Sequence, residues 1–245
     1  MFMSSFIRAA LGLVLASATA AAQDSTANKP AERGPSELAR RSSASLSFIQ
    51  SRPQGAFGRN VGLGYGLDGA YLFRLDDAGI WSLRVSAGIV SYGNESRRTT
   101  LGESVGGRIL VDVKTSNYIA PVSIGPQVTW PAGSLRPYVN AGIGGQAFFT
   151  ESHLEGTRDR TAFASTTNHS SFAASWTMGG GVYMPVYSGK TKVQLDLGVQ
   201  YLNGDRTSYL APESITDLPG AQISITPLES ATHLVILRFG ARIGL

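Results

Sequence analysis

From Val61 the chain alternates with a period of two. Val61, Leu63, Tyr65, Leu67, Gly69, Tyr71, Phe73 and Leu75 take the odd positions, while Gly62, Gly64, Gly66, Asp68, Ala70, Leu72 and Arg74 take the even ones. Successive side chains of a strand point to opposite faces, so this segment has one greasy face and one small or charged face. The same pattern recurs in Trp81–Ile89, in Val193–Tyr201 and in Val235–Leu245. It predicts eight strands, near 43–52, 60–75, 79–93, 108–130, 136–150, 169–187, 190–203 and 230–245.

Alternation alone does not separate a soluble sandwich from a membrane barrel. Strand length and connection length do. Most of these strands exceed the five or six residues usual in soluble sheets and reach the ~9–11 that cross a bilayer. Short turns at Asp76-Asp77-Ala78, 131–135 and Ser188-Gly189 alternate with long polar loops at 94–107, 151–168 and 204–229, and with a shorter one at 53–59. Segregated loops and an even strand number predict an all-β, antiparallel, up-and-down transmembrane barrel.

Strand four carries a parity conflict. Val111 and Val113 are odd, whereas Tyr118, Ala120, Val122, Ile124, Val128 and Trp130 are even. A bulge near Thr115–Asn117 would reconcile them, as would an upper segment that projects beyond the membrane. Aromatic residues fall at two levels: Phe73, Trp81, Trp130 and Tyr187 toward the short turns, and Phe48, Tyr118, Phe149, Phe172 and Tyr201 toward the long loops. Two belts are expected where rings sit at both headgroup levels.

Residues 1–22 read as a cleaved signal peptide, with Arg8, an apolar run through Leu15, and Ala20-Ala21-Ala22 ahead of Gln23. Residues 23–42 are polar and rich in charge, which suits a flexible periplasmic tether. The barrel domain is then 43–245. Composition agrees: 29 Gly and 16% charged residues fit glycine-rich strands, and the absence of Cys excludes disulfides and thiolate metal sites. The 21 basic and 17 acidic residues form no dense basic run, so nucleic acid is not an expected partner.

The region 43–245 resembles the small eight-stranded outer-membrane barrels, namely the OmpA transmembrane domain and its opacity-protein relatives. The resemblance rests on Ile119–Trp130, Leu135-Arg136-Pro137-Tyr138 and Ala141–Gly144, on the loop alternation, and on the last strand. There Arg238, Gly240, Ile243 and Leu245 resemble the family's assembly signal, although the family favours a final Phe. The resemblance implies a bacterial outer-membrane location, contact with outer-membrane lipid, recognition by the barrel-assembly machinery, and a monomer with no cofactor.

Catalytic signals are thin. Gly64-Tyr65-Gly66-Leu67-Asp68-Gly69 matches G-x-G-x-x-G but continues as a strand, where a nucleotide fold needs a helix. His169 and Ser171 share the two-residue spacing of a barrel lipid hydrolase, with Glu151, Glu155 or Glu229 as orienting groups, yet their parity points both inward. The inward polar set is richer: Asp68, Arg74, Arg84, Asn140, Gln146, Lys192, Gln194, Asp196, Gln200, Arg238 and Arg242. Charges in so narrow a barrel must pair or hydrate. They predict a salt-bridged lumen, with a small gated channel as the alternative. Gly198 and Ser86 are expected to tolerate polar replacement better than Leu197 and Val85 on the lipid face. In loop 204–229, Tyr209, Leu210, Ile215, Leu218, Ile223 and Ile225 either pack over the mouth, extend a hairpin or form an adhesive surface for an extracellular ligand. The expected function is structural or adhesin-like, without catalysis.

Overall fold

A computed structural model describes residues 42–101, 109–130, 133–156, 162–188, 191–211, 214–218 and 222–245. The signal-peptide and tether readings, with Arg158 and Arg160, lie outside the described residues. Among the described residues there are twelve strands and one helical turn. The wall strands are β1 (Ser42–Pro53), β2 (Gly64–Arg74), β3 (Trp81–Leu101), β4 (Ile109–Thr129), β5 (Arg136–Gly156), β6 (Ala162–Ser188), β7 (Lys192–Gly204) and β12 (Leu234–Gly244). Helix α1 (Phe57–Asn60) joins β1 to β2, and four short strands lie between β7 and β12: β8 (Arg206–Tyr209), β9 (Ile215–Leu218), β10 (Gln222–Ile225) and β11 (Leu228–Ala231).

Each wall strand pairs antiparallel with its neighbours, and β1 closes on β12 from Ser43↔Gly244 to Pro53↔Leu234. The result is a closed eight-stranded up-and-down barrel. Closure leaves no wall strand with an unpaired edge. It also demands close approach at the seam, where a Cβ on Gly240 would collide with the Leu46 carbonyl and the Ser47 side chain.

Turn chemistry fixes one end. Asp76 accepts hydrogen bonds from the Ile80 and Trp81 amides (3.1 and 2.8 Å), and Gly79 has φ +69°, a conformation that favours glycine. Gly133 plays the equivalent part in the β4–β5 turn, with φ +53°. We call this the turn end, and the opposite one the loop end. The odd–even reading holds on the wall: Leu46, Phe48, Leu67, Val85, Ile124, Ile143, Val199, Leu237 and Phe239 are exposed on the outside, while Ser45, Ser47, Asp68, Arg84, Gln127, Gln146, Asp196 and Arg238 are buried within.

Four expectations need correction. First, β2 begins at Gly64; Val61 ends α1 and is buried rather than continuing the outer face. Second, much of the long polar loops is strand, since β3–β4 pairing runs up to Leu101↔Ile109 and β5–β6 pairing up to Glu155↔Ala162. Beyond the membrane lipid no longer enforces alternation, while the backbone still needs partners. Third, β4 keeps one register against β5 throughout, so the bulge near Thr115–Asn117 is absent; the register shift falls across from it on β3, between Ser91 and Gly93. The reading of an upper segment free of the membrane's parity is the one that fits. Fourth, Phe149 is buried under Tyr118, ring centroids 5.3 Å apart, whereas Trp81, Trp130, Tyr187, Phe48 and Phe172 stand exposed as belt residues should.

Candidate functional site in the barrel lumen

The lumen is filled in two different ways. Toward the turn end it is polar. Asp68 on β2 faces Arg84 on β3 at 3.6 Å, and Arg84 Nη1 donates to Gln127 Oε1 on β4 at 3.4 Å. Gln127 Nε2 in turn donates to the Tyr183 hydroxyl (3.0 Å) and to Thr129 Oγ1 (3.2 Å). Tyr183 on β6 stacks on Tyr138 of β5, centroids 4.4 Å apart, and the Tyr138 hydroxyl donates to Asp196 Oδ1 on β7 at 2.7 Å. Arg238 on β12 donates to Gln200 Oε1 at 2.7 Å. Arg242 lies over the Tyr183 ring at 4.5 Å and donates through Nε to Ser43 Oγ at 2.9 Å. Ionised groups out of water are tolerable only as such a linked set.

The structure thus brings Asp68, Arg84, Asp196, Gln200, Arg238 and Arg242 together, as their parity implies. Asn140 is buried beside Gly179. Arg74 sits lower, beside the Asp76–Gly79 turn; Lys192 is exposed on the rim and Gln194 half-buried. Gln146 is buried higher up, where Nε2 donates to the Thr232 carbonyl (3.1 Å) and to Thr232 Oγ1 (3.2 Å).

Sequence reasoning missed Gln127, Tyr138 and Tyr183, the residues that join the charges. All three have inward parity, so the signal was present. The inward set was drawn from charged and amide side chains, which leaves both tyrosines out. Room for Tyr138 comes from glycine: a Cβ on Gly181 or Gly198 would lie 2.6 Å from its hydroxyl. Gly198 is therefore not the tolerant position that its parity alone implied.

Toward the loop end the lumen is apolar. Phe57 of α1 is fully buried and meets Tyr92, Phe148 and Tyr209 edge-on, with centroids 6.2, 5.9 and 4.7 Å away. Ile49, Val61, Val90, Ile119, Leu202, Leu234 and Ile236 complete the cluster. Polar tips tie the plug down: the Tyr92 hydroxyl donates to the Leu210 carbonyl at 3.0 Å, Asn60 Nδ2 donates to the Tyr209 hydroxyl at 3.3 Å, and Tyr209 meets Ser230 Oγ at 3.2 Å. The Gln54 amide bonds the His233 carbonyl, anchoring the approach to α1. Tyr209 and Leu210 thus pack over the mouth, while β9 and β10 pair as a separate hairpin, so two of the three readings of segment 204–229 hold together.

His169 and Ser171 are both engaged by Ser208: the imidazole lies 3.1 Å from its carbonyl and hydroxyl oxygens, and the Ser171 hydroxyl donates to the same carbonyl. They dock β8 against the end of β6 rather than face a lipid. Among the described residues no cluster of three or more His, Asp or Glu could hold a metal. The assembly-signal residues divide by face, with Arg238 and Gly240 on the lumen side and Ile243 and Leu245 exposed outside.

No protein-family model and no curated protein matches the chain. Similar solved structures include Ail, the attachment invasion locus protein of Yersinia pestis, crystallised with the heparin analogue sucrose octasulfate (16% identity, 82% of this chain and 96% of that one, TM-score 0.40). They also include Neisserial surface protein A (12%, 83% and 97%, 0.40) and OprG from Pseudomonas aeruginosa (14%, 82% and 94%, 0.42). The class rests on this chain's own pairing and burial: a closed, all-antiparallel, eight-stranded barrel with an apolar outer wall. That is the architecture of the small outer-membrane barrels, the OmpA and opacity-protein type that the sequence resembles.

Proposed function

We propose that the protein is an outer-membrane barrel of the bacterial cell envelope that acts as a scaffold and surface-interaction protein without catalysis. The turn end faces the periplasm and the loop end faces outward, after export on the signal peptide and insertion by the barrel-assembly machinery as a monomer. The observation that carries this reading is the division of the wall, apolar outside and filled within. Exposed Ile243 and Leu245 at the last strand support insertion by that machinery. The alternative of a small gated channel draws on the polar half of the lumen; the plug around Phe57 weighs against it.

The surface partner is uncharged or cationic. Segments 54–63, 94–107, 151–168 and 204–229 hold six basic against nine acidic residues, which disfavours a polyanion. Among the described residues, β9 and β10 contribute no side chain to the plug; their base is tied to it where Ser214 bonds Ala211. Excision of 215–227, with Tyr209, Leu210, Ala211, Ser214 and β11 retained, keeps these plug contacts. A screen of the folded chain against uncharged glycans and matrix proteins is expected to lose its hits on that excision; unchanged binding rejects the hairpin as the site. Protease added to whole cells is expected to cut at Arg97-Arg98, Arg158 or Arg160, and cleavage at Asp76–Gly79 would reverse the orientation.

A further inference from the structure

The polar half of the lumen holds more positive than negative charge. Arg84, Arg136, Arg238 and Arg242 face it against Asp68 and Asp196. Arg136 opens β5 directly opposite Tyr183, with the inward parity of Tyr138, and Arg242 lies over the same Tyr183 ring at 4.5 Å. Like charges in a poorly hydrated space repel strongly unless an anion lies among them.

A second observation points the same way. Arg84 and Arg238 are more than nine-tenths buried, and Nε and Nη2 of each lack a hydrogen-bond partner apart from the 3.6 Å approach of Arg84 Nη2 to Asp68; Asp68 Oδ2 and Asp196 Oδ2 lack one too, so unpaired donors outnumber unpaired acceptors in the network. Buried guanidinium N–H groups are normally satisfied. Access comes from one side only, because the Phe57 plug fills the loop end while Arg136, Arg242 and Gln194 remain partly solvent-accessible at the turn end.

We propose that the turn-end lumen is a blind vestibule that binds a small soluble oxyanion, a phosphate or a phosphomonoester, between Arg136 and Arg242 with Arg84 behind them. An oxyanion suits the site because planar guanidinium forks match its paired oxygens, whereas a halide would engage them one N–H at a time. A lipid headgroup is not the source, because Arg136 and Arg242 face into the barrel and a headgroup packs against the wall outside it. The proposal is independent of which side of the membrane the turn end faces, so it survives a reversal of the orientation argued above.

The test is calorimetric titration of the folded chain in dodecylmaltoside micelles with inorganic phosphate. Saturable binding of about one phosphate per chain is expected. Arg242→Gln should weaken it at least about tenfold, as loss of a charge-assisted pair does. Arg136→Gln, at a more open position, serves as the second variant if Arg242→Gln fails to fold. Arg206→Gln, on the outer surface, should leave the isotherm unchanged. The titration is then repeated in nanodiscs of phosphatidylcholine and of phosphatidylglycerol. Equal binding in both supports a soluble anion; loss of phosphate binding in phosphatidylglycerol alone would assign the site to headgroups and overturn the proposal. Absence of saturable binding, or equal affinity in the wild type and Arg136→Gln, would also overturn it.

Discussion

At the loop end the lumen is closed by rings that meet edge to face around Phe57, bordered by buried neutral polar groups such as Gln146, Thr150 and Thr232. Toward the turn end the same eight strands enclose two aspartates, several arginines and a stacked tyrosine pair. The wall is alike in both halves, so wall geometry does not dictate the filling. The apolar half is built partly from inserted pieces, α1 and the Tyr209–Leu210 segment, and closes the mouth. The polar half is built from the wall strands alone, with glycines making room for Tyr138. One half therefore depends on packing that can be withdrawn, and the other on charges that cannot be removed singly.

The sharpest way to break the comparison is in the polar half. Asp196→Ala removes the acceptor of Tyr138 and a countercharge to the arginines, and should cost about 3–5 kcal/mol of stability in urea unfolding. Asp196→Asn, which keeps an acceptor, should cost less. A change below about 1 kcal/mol for Asp196→Ala would mean that the network is uncoupled.

Phe57→Ala tests the other half. The ring is worth about 3 kcal/mol of packing, but the loss should be local. Faster proteolysis within 54–63, with amide exchange in β3–β6 unchanged, is the expected signature; uniform acceleration along the wall would show that the plug and the wall are one unit. On the lipid side, Leu197→Arg should cost about 2–4 kcal/mol. Ser86, whose hydroxyl bonds Ser123 at 2.9 Å within the lumen, should accept threonine at much lower cost. Equal responses would contradict the assignment of faces. Smaller still, Tyr209→Phe should cost about 1 kcal/mol through the lost contacts to Asn60 and Ser230. Arg206→Ala should cost under about 0.5 kcal/mol, since its 3.6 Å pair with Glu229 is exposed.

The wall was legible because lipid enforces alternation: Leu195, Leu197 and Val199 outside, Asp196 and Gly198 inside, can be read directly from their order. What fills the lumen was half legible. Parity identifies Asp68 and Arg84 as inward, but not that Gln127, Tyr138 and Tyr183 connect them across non-adjacent strands. The plug was hardest to see. Phe57 stands in a seven-residue stretch that reads as a plain loop, and nothing nearby in sequence announces Tyr92 and Phe148 as its partners. Where the wall leaves the membrane, lipid no longer enforces the alternation that locates the strands, so the hairpin extensions of β3–β6 read as loops.

The central claim is that this barrel is a filled body rather than an open pore, as eight strands leave room for side chains and at most one small ligand. Planar-bilayer recording on the folded chain tests it most directly. The account predicts no steady conductance from the wild type and, at most, small intermittent events that become more frequent in Phe57→Ala. A stable, large conductance in the wild type, altered by Asp196→Ala or Arg84→Ala, would contradict it and make the polar half the lining of a channel.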